Sequence, residues 1–590
     1  MRKLSTKIIA VILSLVMAFS VCGVASFATD TAEKTNCTPV ISEELQQQIT
    51  EEALECVSGA FAALKTIFAG MGKVASWDDL GNNIMKVLYN TLNIIVEVIV
   101  KGFVNIYPKP DTWKDISEKT TDDFLAGHST YQTEAKPGNY WSLGYASESL
   151  IPADITSGKY YIGRDLLNKK ALDVYDDMRI RVTVIDDNSG EGAVVFGAID
   201  CLGLTNNDVR EIRTGVLEYC KEKGLNVAAI NIAATHCHTA LDTQGVSTEF
   251  FYKLFANIIN NKFKLFKELP GLEAATYFKQ FFIQQSIKAV KAAFEDVESG
   301  TMSYGVIDCS EFVEDKRDLL TKDELPDTVT LKFVPDSGSE TTYISNVTCH
   351  PTSFSANHQY AASDYIFYAD KYIKEHDNGA NLLIVQGALG QVSRDIDVDT
   401  TGMSEYEEWG ASANHLGKLF GEKILATDYS KQLAPILNTK NIEIFVVPTN
   451  SILSLACAVK LVNNRVYYNN GVPGIITEQG YLEFGHEVGF ALFPGELYPE
   501  VFWGAEVIHG TNWDGTKWEY PCLNDSVDGV KVYPISLCND EIGYVLTDNN
   551  FAFMGHIIGD GIADEVLSPG KHIGSFLISN YLELVKDYTK

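Results

Sequence analysis

From about residue 143 onward, the chain alternates between apolar runs of strand length and amphipathic runs of helix length. Ala193–Ile199 is a continuous apolar run, which is typical of a buried strand. Residues 205–208 form a capping box, and the helix that follows repeats its apolar residues at helical spacing until Gly224. Val227–Ala234 is the next buried strand. This strand–helix–strand order predicts parallel strands within one sheet.

The same alternation continues along the rest of the chain. Further strands are predicted at 328–334, 342–348, 382–385, 442–447 and 488–493, and further helices at 279–296, 364–375, 411–426 and 500–508. We find no repeating unit of the length that builds solenoids or propellers. We therefore predict an α/β fold with a large mixed sheet flanked by helices, in one catalytic domain spanning 143–590.

The first 142 residues have a different pattern. Residues 1–28 combine basic residues, a short apolar run and a small-residue cleavage site, which is typical of a bacterial Sec signal peptide. Residues 29–110 are predicted to be helical and 111–142 to be a linker. The apolar run at 84–107 contains charges, which favours packed helices over a second transmembrane span; a helix on a membrane surface is the alternative. The protein is predicted to be secreted or associated with the cell surface.

The composition narrows the class of function. The chain has 590 residues, of which 46% are hydrophobic, so it can form a large core without a disulfide framework. Its net charge of −31 disfavours binding to nucleic acid or to anionic lipid. The 11 cysteines are scattered and include no CxxC pair, so no disulfide pairing is predicted.

Residue types that bind metals follow the ends of three predicted strands. His236 and His238 follow one strand, His350 follows a second and Glu496 follows a third. His236 and His238 are two residues apart, so in an extended backbone they would face the same side. In open α/β sheets, ligands bind beyond the carboxyl ends of the strands. Neutral imidazoles with one carboxylate match a catalytic zinc site, which the sequence therefore predicts at these strand ends.

Each of these histidines also has an ordinary structural explanation. A histidine after a strand is more often a hydrogen-bonded loop residue than a ligand, and the His-x-His pair alone is a weak motif. Combined with the other two strand ends, it becomes a stronger indication. Five other histidines are assigned to the ordinary class: His128, His376, His415, His509 and His572.

Several short segments match one known family in the same order. The first are Gly-Tyr-Ala-Ser-Glu-Ser-Leu-Ile-Pro from residue 144 and Gly-Ala-Ile-Asp at 197–200. The next are Ala-Thr-His-Cys-His at 234–238 and Cys-His-Pro-Thr-Ser at 349–353. The last are Gln-Gly-Ala-Leu-Gly-Gln-Val-Ser at 386–393, Phe-Pro-Gly-Glu at 493–496 and Gly-Tyr-Val-Leu-Thr at 543–547. Over roughly 143–587 the chain resembles the neutral/alkaline, non-lysosomal ceramidases.

The resemblance implies a function and a site. The family's zinc ligands fall on His236, His350, Glu496 and Tyr544, and His238 would lie beside the metal and act on the substrate oxygen or the leaving group. Tyr544 has an ordinary alternative as a half-buried strand tyrosine. The implied activity is zinc-dependent hydrolysis of the N-acyl bond of ceramide or a related N-acyl lipid, with transient contact to a membrane surface. Zinc supports such chemistry by activating water and polarising the carbonyl.

Two positions differ from the family pattern. Gly387 stands where the family has a serine, so we predict attack by water without a serine nucleophile. Ser393 is a weak substitute, since a loop hydroxyl more often bonds the backbone. Residues 239–244 replace the family's Gly-Pro-Gly-Gly at the substrate mouth.

Two other functions are the alternatives to a ceramidase-like hydrolase. One is a zinc hydrolase of a different amide or ester, and the other is a non-catalytic binding or surface protein on the same fold. The oligomeric state is left open.

Overall fold

The computed structural model describes most of the predicted catalytic domain. The described residues are 124–164, 169–248, 273–316, 327–354, 358–458, 461, 464, 466–469, 472–504, 517–551 and 564–588. The predicted signal peptide, the predicted N-terminal helices and the first part of the predicted linker lie outside them. The predicted domain boundaries stay predictions.

The strands and helices are as follows. The strands are β1 (Trp141–Ser149), β2 (Asp173–Val174), β3 (Arg179–Asp186), β4 (Ala193–Ile199), β5 (Val227–Ala234), β6 (Glu298–Ile307), β7 (Val313–Asp315), β8 (Thr328–Pro335), β9 (Thr342–Val347), β10 (Tyr360–Ala361), β11 (Asn381–Gln386), β12 (Val392–Arg394), β13 (Lys431–Gln432), β14 (Leu437–Val446), β15 (Val466–Asn469), β16 (Val472–Phe484), β17 (Val488–Leu492), β18 (Glu496–Leu497), β19 (Lys531–Ile535) and β20 (Tyr544–Val545). The α-helices are α1 (Asn206–Lys223), α2 (Glu273–Glu295), α3 (Tyr365–His376), α4 (Glu405–Ala426), α5 (Ser451–Ala458), α6 (Pro499–Trp503) and α7 (Ile573–Val585). Single turns of 3₁₀ helix lie at Ile155–Ser157, Ser310–Phe312, Asp548–Asn550, Asp564–Leu567 and Lys586–Tyr588.

The larger sheet is mixed and contains the predicted βαβ unit. Its strand order is β11-β9-β8-β6-β1-β3-β4-β5, and β13 also pairs with β6. The pairs β4–β5 and β9–β11 are parallel, and the other pairs are antiparallel. The helix α1 connects β4 to β5; Thr205 caps its start by accepting a hydrogen bond from the Asp208 backbone, and Gly224 ends it with a positive φ of 69°.

A second sheet packs against the first. Its order is β14-β16-β17-β19, with β15 on β16, and only the β17–β19 pair in this described sheet is parallel. Apolar side chains from both sheets form the core between them; for example, the rings of Phe196 and Phe490 stack with their centroids 6.5 Å apart. The remaining described strands form three separate two-stranded sheets: β2–β10, β7–β12 and β18–β20.

Helices cover both outer faces, so the domain has four layers. Phe282 of α2 and Val209 of α1 pack on the larger sheet, and α3 and α4 cover the same outer face near β9 and β11. On the opposite side, Leu577 of α7 and Phe502 of α6 pack on the second sheet. The predicted fold class, a large mixed sheet flanked by helices, is therefore confirmed, whereas the second sheet is an addition that was not predicted.

The C-terminal part of the predicted linker lies against this domain. The Gln132 backbone N–H donates to Asn438 Oδ1 at 2.8 Å, and the Tyr131 ring stacks on Tyr588 with a centroid separation of 3.7 Å. These contacts join residues far apart in sequence, so the described part of this segment is packed on the domain. Among the described helices, none combines the length and the apolar character that crossing a membrane requires.

Candidate metal centre

The first histidine pair lies directly after β5. The Thr235 amide donates to Ile199 O at 2.9 Å, which fixes the end of β5 beside the end of β4. His236 then adopts a positive φ of 64°, a strained backbone conformation for a residue with a side chain. The extended backbone expected between His236 and His238 is therefore wrong, although the two rings still meet, with centroids 4.8 Å apart.

A backbone carbonyl orients the ring of His236. The Nδ1 atom lies 2.7 Å from Leu202 O, so Nδ1 carries the proton and donates it to that carbonyl. The Nε2 atom of a neutral ring is then left with a lone pair. Histidines that bind metals are commonly held in this way by a hydrogen bond at the other nitrogen.

His350 is held in the same manner after β9. Its backbone amide and its Nδ1 both contact Val392 O, at 2.9 and 3.0 Å. The carbonyl of one residue thus fixes both the backbone and the ring of His350. As at His236, the Nε2 atom is directed away from the carbonyl that orients the ring.

Glu496 enters from the second sheet's side of the domain. It lies in β18, four residues after the end of β17, and pairs in parallel register with Tyr544 of β20. The Glu496 amide donates to Gly543 O at 3.1 Å, which secures this short pair. Glu496 is 3% exposed, so its carboxylate is directed into the protein.

The three strand ends bring their side chains to one place. His236 Nε2 lies 3.1 Å from one carboxylate oxygen of Glu496, and His350 Nε2 lies 2.9 Å from the other. Ligand atoms of His236, His238 and His350 all lie within 4.8 Å of one another. The structure therefore brings together His236, His238, His350 and Glu496, which are four of the five predicted site residues.

Several polar atoms of this cluster lack hydrogen-bond partners. His236 Nε2, His238 Nε2 and Glu496 Oε1 are buried and make no hydrogen bond of acceptable geometry. Buried polar groups are normally satisfied, so unpartnered atoms that converge from separate strands need an explanation. Two or three imidazole nitrogens and one carboxylate are the donors that zinc prefers, and these residues fit a metal ion.

The electrostatics of the cluster favour a cation. Burial alone would raise the pKa of Glu496, but His236 and His350 outweigh burial and lower that pKa to about 2. Burial, and then the same two histidines, lower the pKa of His238 well below its usual value. Glu496 is therefore ionised and His238 neutral at neutral pH, which leaves electron pairs available to a metal.

Tyr544 lies beside Glu496 and is half-buried. Burial, followed by the charges of Glu496 and Asp564, raises the pKa of the Tyr544 hydroxyl well above its usual value. In this environment the hydroxyl keeps its proton and can donate it in a hydrogen bond. Coordination of a metal by the phenolate would require the ion itself to offset these neighbouring negative charges.

Gly387 lies between strand ends of the larger sheet. A Cβ atom at this position would lie 2.3 Å from Thr348 Oγ1, too close for a side chain without movement of its neighbour. Its amide donates to Val347 O at 2.6 Å, and its carbonyl accepts from Ser536 Oγ at 2.6 Å. Ser393 lies in β12, opposite Glu314 in β7. The absence of a side chain at residue 387 therefore matches the local packing.

The histidines assigned to ordinary roles include three that contact nearby groups. The two ring nitrogens of His128 lie 2.9 Å from Leu437 O and 2.9 Å from Gly192 O. His376 Nδ1 contacts Tyr372 O, and His572 Nδ1 contacts a carboxylate oxygen of Asp548. His415 is exposed on α4, and His509 lies outside the described residues.

Two acidic residues near the centre were not among the predicted candidates. Asp564 accepts hydrogen bonds from Gln391 Nε2 at 2.8 Å and from the Tyr498 hydroxyl. Glu541 is a half-buried residue that lies three positions before Tyr544. Its Oε2 atom is buried and has no hydrogen-bond partner. Its closeness to Tyr544 in sequence is a signal that could have identified it; Asp564 has no comparable signal.

Comparison with known proteins supports the fold. No protein-family model matches this sequence, and the search of curated proteins found no match either. Among solved structures, a neutral ceramidase from Pseudomonas aeruginosa matches with a TM-score of 0.54 and 14% identity, over 76% of this chain and 74% of that chain. A ceramidase complexed with C2 matches with a TM-score of 0.53 and 14% identity, over 76% of each chain. This chain therefore has a neutral ceramidase-like fold, as the resemblance in sequence implied.

Proposed function

We propose that this protein is a zinc-dependent amide hydrolase that cleaves the N-acyl bond of ceramide or a related N-acyl lipid. The observation that carries the proposal is the convergence of His236 Nε2 and His350 Nε2 on the two carboxylate oxygens of Glu496, at 3.1 and 2.9 Å. The ceramidase-like fold supports the choice of an N-acyl lipid over other substrates. The predicted signal peptide supports export to the cell surface or beyond it.

In this proposal, His236, His350 and Glu496 hold the ion, with Tyr544 as the fourth candidate ligand. Zinc, when bound, would lower the pKa of a water molecule and stabilise negative charge on the carbonyl oxygen. His238 Nε2 is buried without a hydrogen-bond partner, so it can accept a hydrogen bond from the attacking water. The Tyr544 hydroxyl can donate a hydrogen bond to the developing oxyanion.

Hydrolysis of a different amide or ester is the second candidate. It is favoured by the loop at 239–244, which differs from the family's glycine-rich sequence at the substrate mouth. In that loop, the Asp242 carboxylate accepts hydrogen bonds from the Gly245 and Ser247 amides at 2.8 and 2.9 Å. The loop is thus fixed by its own hydrogen bonds in a sequence that differs from the family's.

The test is incubation of the pure protein with a fluorescent ceramide and, separately, with short N-acyl amides and esters. We expect release of the labelled fatty acid from ceramide, loss of this activity on chelation, and recovery when zinc is added. Cleavage of the short substrates alone would favour the second candidate. Folded, zinc-loaded protein that cleaves none of them would contradict a hydrolase and favour a binding protein.

A further inference from the structure

Asp564 is a buried carboxylate that joins two segments leading to the metal centre. It begins a 3₁₀ turn and is 7% exposed. Its Oδ2 atom accepts a hydrogen bond from Gln391 Nε2 at 2.8 Å, and the same atom accepts another from the Tyr498 hydroxyl. The two donors lie 173 and 66 positions before Asp564 in the chain, so one oxygen atom connects three separate segments.

The first donor belongs to the loop that holds His350. Gln391 directly precedes Val392, whose carbonyl contacts both the backbone amide and the Nδ1 atom of His350, at 2.9 and 3.0 Å. Gln391 has a positive φ of 59°, which a residue with a side chain adopts only when its surroundings hold it. The bond to Asp564 is one contact that holds Gln391. The position of the Val392 carbonyl follows from the direction in which the chain leaves this residue.

The second donor belongs to the segment that carries Glu496. Tyr498 follows Glu496 by two residues, and its backbone amide donates to Val545 O of β20 at 3.1 Å. The Tyr498 side chain is therefore attached to the β18–β20 pair, in which Glu496 lies. Tyr498 is 1% exposed, so its hydroxyl needs a partner inside the protein, and Asp564 supplies it.

The two segments also contact each other directly. Gly390 N donates to Leu497 O at 2.8 Å. A Cβ atom at Gly390 would lie 2.5 Å from Tyr498 Cδ2, so the absence of a side chain at residue 390 allows the Tyr498 ring to approach the loop. Asp564 therefore links the loop that holds His350 to the segment of Glu496 a second time, through side chains.

We propose that Asp564 is a positioning residue of the metal centre. Through Gln391 and Tyr498, its Oδ2 atom keeps His350 and Glu496 facing each other, with His350 Nε2 and Glu496 Oε1 2.9 Å apart, so that both can bind the same ion. The inference rests on the proposed function, of which it uses the zinc site and not the substrate. Partners that orient metal ligands typically contribute about 10–100-fold to metal affinity.

The test measures the dissociation constant of zinc, by competition with a chromogenic chelator, in wild type and two variants of Asp564. Asp564→Ala removes the acceptor of both hydrogen bonds, so zinc affinity should fall about 10–100-fold. Asp564→Asn removes the negative charge but can place its carbonyl oxygen at the position of Oδ2, where both donors converge. Asp564→Asn should therefore retain most of the zinc affinity that Asp564→Ala loses.

Two further variants each remove one of the two bonds. Gln391→Met keeps a side chain of similar length without its donor, and Tyr498→Phe removes only the hydroxyl. Each should lower zinc affinity in the wild-type background. Neither should lower it further in Asp564→Ala, because the acceptor is already absent there. These two variants also test the inference if Asp564→Ala does not fold.

Glu483 offers a matched control, since it lies near the opposite end of β17 from Glu496. Its carboxylate is also buried, and it accepts hydrogen bonds from one side-chain amide and two tyrosine hydroxyls: those of Asn438, Tyr131 and Tyr481, at 2.8, 2.8 and 2.6 Å. Glu483→Ala should lower thermal stability, as Asp564→Ala does, but leave the zinc affinity of the folded protein unchanged. Thermal unfolding of the zinc-free protein is measured for every variant.

Several results would overturn this inference. Unchanged zinc affinity in folded Asp564→Ala would do so, and an equal loss in Glu483→Ala would reduce the effect to general stability. An equal loss in Asp564→Asn would assign the effect to the negative charge and not to the two hydrogen bonds. A wild-type protein that binds no zinc would instead contradict the proposed function itself, and this inference with it.

Discussion

Two buried clusters of charged and polar side chains in this domain have opposite characters. The arginine cluster consists of Arg210, Arg213, Glu443 and Glu478, and joins α1 to the second sheet. Arg213 Nη1 lies 2.7 Å from Glu478 Oε2, and Arg210 Nη2 lies 2.6 Å from Glu443 Oε1. Arg210 also contacts Glu478. Two guanidinium groups thus face two carboxylates, so the formal charges cancel.

The metal-centre cluster consists of His236, His238, His350 and Glu496. It contains one carboxylate whose pKa is lowered to about 2, and ring nitrogens that lack partners. Within these four residues there is no permanent positive charge to balance Glu496. The difference indicates that the residues of the arginine cluster balance one another's charge, whereas the metal-centre cluster can hold a cation.

The largest effect expected is that of His350→Ala on metal binding. Loss of even an outer-shell partner costs about 10–100-fold in metal affinity, so loss of a ligand should cost at least about a hundredfold. Activity should fall with the metal. The measurement is zinc content after dialysis against a weak chelator, together with turnover of the amide substrate.

His238→Ala is the matched variant for this experiment. It removes an imidazole from the same cluster, but the proposal places His238 beside the ion, so zinc should be retained while turnover falls. Loss of zinc in His238→Ala with retention in His350→Ala would reverse the assignment of these two histidines.

The arginine cluster should respond to mutation through stability. Glu478→Gln leaves Arg213 buried without its carboxylate, and breaking a buried ion pair from one side typically costs about 3–5 kcal/mol. We expect a clear fall in the free energy of unfolding, measured by chemical denaturation. The folded variant should still bind zinc, and zinc loss without destabilisation would erase the distinction between the two clusters.

Tyr544→Phe should reduce activity with little effect on folding. The variant keeps the ring and removes only the hydroxyl, which lies beside Glu496. Loss of one oxyanion donor usually lowers turnover on the order of a hundredfold. Steady-state kinetics and a thermal unfolding curve are the measurements. Near-wild-type turnover would return Tyr544 to an ordinary role as a strand residue.

Gly387→Ser should have the smallest effect, and it should be structural. The new Cβ would lie 2.3 Å from Thr348 Oγ1, and overpacking of this kind typically costs about 1–3 kcal/mol. Thr348→Ala in the same chain should recover most of that stability. Mass spectrometry should detect no acyl group on the loop in wild type or variant; an acylated serine would contradict attack by water.

The elements predicted from sequence are those with a one-sided or continuous apolar pattern. The β4–α1–β5 unit matches its prediction because its strands are apolar throughout and α1 has clear signals at both ends. The strand β16 was not predicted because it contains the buried polar residues Glu478, Gln479 and Glu483. Those residues are acceptable in a core only because of partners such as Arg213, which lies 265 positions away in the chain.

The candidate site was also predictable in part from local sequence patterns. His236, His350 and Glu496 follow strands, so the general rule about strand ends was sufficient to group them. The positive φ of His236 was not predictable from the local pattern, and the partner of its ring, the Leu202 carbonyl, lies 34 positions away in the chain. Nor was the close approach of Glu541 to Gly203 predictable, because the two residues are distant in sequence.

The central claim is that His236, His350 and Glu496 hold one catalytic zinc ion, and elemental analysis tests it most directly. The measurement is zinc per chain in purified wild-type protein, before and after chelation, paired with hydrolysis of the N-acyl substrate. We predict one zinc per chain, parallel loss of zinc and activity, and recovery of both on addition of zinc. Folded protein that hydrolyses the substrate at full rate without any bound metal would contradict the account.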